Sequence, residues 1–304
     1  MVVADMQAVT RSRAVTILAV TSCLLLLVSP AARSVDGHTC AGLAATIVGT
    51  AGDDHIDGTA GDDVIVALGG DDNILGKDGN DTICAGPGDD SIKGGAGDDL
   101  IIGGDGSDTV SYAGAPAGVT VDLMAGTATG GEGTDELRRI QNVIGSAHDD
   151  TLLGTPGRNT IFGLEGDDVL RGRDGQDELR GGSGNDDLAG GGGDDVVDGG
   201  KDVDLANFAS SPAPMWINLA AGVAIGEGAD VLISIRDVMG SPHDDEIHGD
   251  ERNNVLWGLG GDDELRGKEG KDVHRGGAGT DFANGGSEFD ICFTEASLAC
   301  ERRK

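Results

Sequence analysis

Aromatic side chains are almost missing from this 304-residue chain: two Trp, one Tyr and five Phe. An ordinary core filled by rings that each bury about 150–250 Å² is therefore excluded. Basic residues number 21 against 54 acidic ones, a net charge of −33. That imbalance excludes charge-driven nucleic-acid binding, because both partners would be polyanions. Proline occurs only seven times and glycine is not every third residue, which excludes a collagen helix. After residue 34 no apolar run approaches the roughly 20 residues a spanning helix needs, so no stable membrane insertion is expected. Glycine is in excess: 55 residues, about 18%, against roughly 7% in an average chain. At about 1 kcal/mol per interior glycine, long helices are excluded as well. A disordered acidic tail is excluded too, because 38% of the residues are apolar and they recur in order.

The first 34 residues read as an export signal. Arg11 and Arg13 precede an apolar run from Ala14 to Val28, and small residues follow at Ser29, Ala31, Ala32 and Ser34. Without that segment 18 basic and 53 acidic residues remain, a net charge of −35. Four cysteines also remain, Cys40, Cys84, Cys292 and Cys300. An even count in an exported chain predicts two disulfides, Cys40–Cys84 and Cys292–Cys300.

A nine-residue repeat dominates the rest. Asp54, Asp63, Asp72, Asp81, Asp90, Asp99 and Asp108 follow at intervals of nine, each with Gly two residues before and Ile or Val two residues after. A second block runs Asp150, Asn159, Asp168, Asp177, Asp186, Asp195 and Asp204. A third runs Asp245, Asn254, Asp263, Asp272, Asp281 and Asp290. The fullest copy, Gly94 to Ile102, reads GGAGDDLII. It matches the calcium-binding nonapeptide G-G-x-G-x-D-x-U-x, with U a large aliphatic. The two stretches between blocks also match each other: VTVDLMAGTATGGEGTDELRRIQNVIGSAHDD against MWINLAAGVAIGEGADVLISIRDVMGSPHDD. Their alternation of apolar and polar residues predicts short strands around glycine turns, with Leu137, Ile140, Val143 and Ile144 returning to the stack.

On these motifs the chain resembles the RTX, or hemolysin-type, calcium-binding repeat proteins. The resemblance implies an all-β fold, a parallel β-roll in three stacked blocks with short β-rich spacers. In such a roll GGxGxD forms a turn, xUx a short strand, and two nonapeptides one coil. It implies Ca²⁺ between coils, held by turn carbonyls and by the eighteen repeat aspartates named above. The expected segments are a signal (1–34), an N-terminal cap (35–48), block one (49–111), a spacer (112–144), block two (145–207), a spacer (208–239), block three (240–292) and a C-terminal cap (293–304).

The physics favours a divalent cation. Two inward aliphatics per coil bury too little surface to order two nonapeptides, and stacked aspartates repel one another. Ca²⁺ takes six to eight oxygens in a flexible shell, whereas Mg²⁺ demands a strict octahedron and keeps its waters. Twelve pairs of aspartates lie 18 apart, from Asp54/Asp72 to Asp272/Asp290. In four of them one turn departs from the motif, at His148, Asp202, His243 or Glu288 in place of Gly. Setting those aside leaves eight, so eight to twelve ions are expected. There is no H-E-x-x-H and no G-x-S-x-G, and neither spacer is long enough for a catalytic domain. The expectation is thus an extracellular, non-enzymatic calcium-binding protein. A surface adhesin with a cell-surface or matrix partner and a calcium-dependent hydrolase are the alternatives.

Overall fold

The computed structural model describes residues 37–294 and the backbone of the strands Ala296–Leu298 and Arg302–Arg303. The expected export signal and Cys300 lie outside the described residues. No helix occurs among the described residues; the chain forms a two-stranded hairpin and two long sheets of 15 and 16 strands.

The register follows directly from the repeat. Strand His55–Asp57 pairs in parallel with Asn73–Asp78, which pairs with Ser91–Ala96, each step a shift of 18 residues. The intervening nonapeptides do the same in the other sheet, Val64–Val66 on Thr82–Pro87 on Leu100–Asp105. One coil is therefore two nonapeptides, one strand in each sheet. Within each strand the aliphatic position points inward, and Ile65, Ile74, Ile83, Ile92 and Ile101 are fully buried. Except where a block ends, at Tyr112, Phe208 and Thr294, the next inward position of the nonapeptide strands, two residues on, is Gly or Ala because the interior narrows towards the turn. A Cβ on Gly76 would collide with Asp81 Oδ2 and the Gly94 carbonyl oxygen.

Each spacer is a three-stranded meander set into one sheet. In the first, Gly133–Arg138 lies parallel to Leu100–Asp105, Thr127–Gly130 runs antiparallel, and Val119–Asp122 lies parallel to Thr151–Leu153. In the second, Ala229–Ile233 adjoins Val196–Lys201, Val223–Ile225 runs antiparallel, and Trp216–Asn218 adjoins Glu246–His248. The first meander widens the 16-stranded sheet and the second the 15-stranded sheet. The cause is arithmetic: seven nonapeptides is an odd number, so successive blocks end on opposite sheets. Leu137 and Val143 pair with Ile101 and Val110, back in the stack. The first meander is stapled by Arg173, whose two guanidinium nitrogens donate to Asp122 at 2.9 Å. That contact, chiefly the Arg173 hydrogen bond, holds the Asp122 carboxyl below its ordinary range.

At the N-terminal end the hairpin Thr39–Cys40 with Leu43–Ala44 is tied to strand Thr82–Pro87 by the Cys40–Cys84 disulfide. Cys40, Ala45 and Val66 bury one another there. At the other end the aliphatic position passes to His274, Ala283 and Cys292, all buried.

Candidate metal centre

The later aspartate of each pair is fixed by the coil before it. In all twelve pairs spaced by 18, the backbone N–H of the earlier Asp donates to Oδ1 of the later one at 2.8–3.1 Å. The carboxylates thus form two buried columns, one along each edge of the roll. Apart from Asp54 they are at most 6% exposed.

The second oxygen divides the turns into two kinds. In the first two turns of each block Oδ2, or Oδ1 of Asn, accepts the backbone N–H of the residue four positions earlier. These donors are Thr50, Thr59, Ser146, Thr155, Ser241 and Asp250, at 2.5–2.9 Å. Four of them add a side-chain hydroxyl to the same carboxylate or amide. We call these turns closed. In the other fourteen turns the residue four before the Asp is left-handed, with φ from 79° at Lys268 to 152° at Gly104. The residue two before the Asp is left-handed as well. We call these turns open. In twelve of them Oδ2 is buried with no hydrogen-bond partner: Asp72, Asp81, Asp90, Asp99, Asp108, Asp168, Asp177, Asp186, Asp195, Asp204, Asp263 and Asp272.

Of the four turns that depart from the motif, His148 and His243 fall in closed turns. Asp202 and Glu288 adopt φ of 74° and 77°, so their turns remain open. Asp186/Asp204 and Asp272/Asp290 therefore belong with the regular pairs, contrary to the motif count. Asp54/Asp72 and Asp63/Asp81 each join a closed turn to an open one.

An ionised oxygen buried without a partner costs several kcal/mol. The acidities record this. Burial first, then the stacked carboxylates, push Asp90 up to about 6 and Asp168 to about 8, against the hydrogen bond from the preceding backbone N–H. Asp99, Asp177, Asp263 and Asp272 are raised to about 7 for the same reasons. Asp72, Asp81 and Asp108 are raised too.

The donor set fits a hard cation. Main-chain carbonyls project beside the orphaned oxygens: a Cβ on Gly172 would meet both Asp177 Oδ2 and the Gly190 carbonyl oxygen. Among the described residues no three His, Cys, Asp or Glu side chains form a metal cluster. An ion here must draw on those carbonyls, which is calcium-type rather than zinc-type coordination.

Two carboxylates of the columns escape the nine-residue count. Asp135 and Asp230, in the meanders, accept the backbone N–H groups of Asp99 and Asp195 at 3.1 Å. Their signal is present in sequence as G-x-D-x-U, Gly133 to Leu137 and Gly228 to Leu232. Asp135 Oδ2 also accepts the Tyr112 hydroxyl at 2.9 Å, which closes that position.

Parallel coils, with buried carboxylate columns at their turns, define a β-roll of the cation-binding kind. The chain belongs to the RTX calcium-binding nonapeptide-repeat family, whose four-copy profile matches residues 48–83, 75–110, 144–179, 171–206 and 239–273. A comparison with curated proteins finds no match. No helix among the described residues is long and apolar enough to cross a membrane.

Proposed function

We propose that this chain is an exported, non-enzymatic protein whose roll is assembled and held by several Ca²⁺ ions bound at the open turns. The observation that carries the reading is the set of twelve buried, partnerless Asp oxygens. Asp72, Asp81, Asp90, Asp99 and Asp108 in block one, with their counterparts in blocks two and three, would hold the ions together with turn carbonyls. Bound Ca²⁺ supplies the positive charge that makes these carboxylates tolerable when ionised and stacked. The protein supplies short carboxylates at the strand entries and left-handed turns whose carbonyls lie beside them. Binding free energy is then folding free energy. An exported chain meets extracellular calcium, for which modules of this kind have Kd values of about 10⁻⁴–10⁻³ M or tighter.

Far-ultraviolet circular dichroism tests this. Demetallated protein is expected to show little order and to gain a large β signal on titration to millimolar Ca²⁺. An unchanged spectrum across the titration rejects the proposal.

A surface component with a partner-binding spacer is the second reading. One observation favours it: the outer face of the second meander exposes Ile225, Val231 and Ile233 beside Val196. The first meander carries Thr127, Thr129, Thr134 and Glu136 on its outer face. Protein retained in the wall fraction of cells would support that reading. Turnover in a hydrolase screen, abolished by one point change, would revive an enzyme.

A further inference from the structure

The closed and open turns are ordered along the chain, and the order is the same in each block. Two closed turns come first, headed by Thr50 and Thr59, by Ser146 and Thr155, or by Ser241 and Asp250. Two open turns follow whose left-handed residue is not glycine: Leu68 and Lys77, Leu164 and Arg173, Leu259 and Lys268. All later turns of the block have glycine there, Gly86, Gly95 and Gly104 in block one.

Stacking explains the sequence. A Cβ on Gly86 would strike the Leu68 carbonyl oxygen, and one on Gly95 the Lys77 carbonyl oxygen. The same holds for Gly182 over Leu164 and Gly277 over Leu259. Glycine is required where an open turn lies on another open turn. Where it lies on a closed turn, a larger residue fits. The strands agree: they run on into the turn, as in Lys77↔Gly95 and Arg173↔Gly191, where two open turns meet.

Two closed turns make an even plainer statement. Asn159 and Asn254 replace the aspartate, and only closed turns carry Asn. Each amide oxygen accepts the turn N–H, and each Nδ2 donates to a carbonyl of the preceding coil, Gln141 at 2.5 Å and Arg236 at 2.7 Å. A neutral amide that spends its donors on those carbonyls leaves no role for a cation.

Resting on the calcium reading above, we propose that each block opens with a starter coil that holds no calcium, and that ions enter only between stacked open turns. In the closed coil, hydrogen bonds from the turn's own residues take the place of the ion. Eight stacked pairs of open turns follow, three in each of the first two blocks and two in the third. Their upper turns are those headed by Gly86, Gly95, Gly104, Gly182, Gly191, Gly200, Gly277 and Gly286.

Calorimetric titration of the full demetallated chain with CaCl₂ decides this, with circular dichroism confirming the fold of each variant. The double variant Asn159→Asp, Asn254→Asp gives closed turns their missing carboxylates and is expected to bind the same number of ions as the parent. Asp54→Asn with Asp63→Asn is expected to keep that number too. Asp90→Asn with Asp99→Asn is expected to lose at least two ions. A gain of ions in the first variant overturns the proposal, and it does so even if the second variant does not fold. An equal loss in the second and third variants overturns it as well. A parent chain that takes up no calcium would instead remove the reading on which the proposal rests.

Discussion

At the scale of single residues, the left-handed positions and the buried acids set the behaviour. Lys268 stands exposed at φ 79°, a conformation that costs a side chain about 1–2 kcal/mol over glycine. Lys268→Gly is expected to raise stability by up to about 1 kcal/mol after the entropic cost of glycine. Gly191→Ala drives a methyl into the Arg173 carbonyl and is expected to cost about 2–4 kcal/mol. Melting curves in saturating Ca²⁺ measure both. The acids give a pH signature. Asp90, Asp99, Asp168 and Asp263 have folded values of about 6 to 8, above the unfolded value of 3.8. Between roughly pH 4 and 8 the folded, metal-free roll therefore holds more protons than the unfolded chain, and its stability falls as pH rises. Metal-free protein is expected to be more ordered at pH 4.5 than at pH 8, by circular dichroism. Calcium should reverse the trend, because binding needs the ionised carboxylate. A metal-free chain whose order rises with pH would contradict this account.

At the scale of the turn and the strand, local hydrogen bonds decide what an aspartate does. Thr59 gives both its N–H and its hydroxyl to Asp63 Oδ2, at 2.7 and 2.8 Å. Thr59→Ala removes one of the two donors to this buried oxygen and is expected to destabilise the first coil by about 1–2 kcal/mol. The loss should be equal with and without Ca²⁺, as seen by hydrogen exchange of the residues around Ile56 and Ile65. The strands, their 18-residue register and their inward aliphatics were legible in the sequence, because each depends only on the period. The closed turns were not. Asp63 and Asp81 stand at the same place in the repeat, and Thr59 and Lys77 both depart from the Gly that the motif sets four residues before the aspartate, so the motif alone does not separate a closed turn from an open one. Asp135 and Asp230 were hidden for another reason: their G-x-D-x-U signals stand in the spacers, beyond each block's unbroken run of nonapeptides. The strands of the meanders were expected, but their insertion into opposite sheets comes from topology rather than from any residue.

At the scale of the described roll, the ends and the sheets matter. The Cys40–Cys84 bridge closes a loop with a sequence separation of 44, which spans the hairpin and the first closed turns. A crosslink of that length is worth about 2–4 kcal/mol through the unfolded chain. Reduction is expected to lower the melting temperature in Ca²⁺ and to expose the first block to protease before the other two, as mapped by mass spectrometry. The two meanders carry a consequence of their own. Each hands the chain back to the stack on a particular side, and that side is fixed by whether the preceding run of nonapeptides is odd or even. Loss of one nonapeptide from block two would deliver the second meander to the sheet already widened by the first. A block can therefore change length by a pair of repeats without moving the meander that follows it, whereas a single added repeat transfers that meander to the opposite sheet.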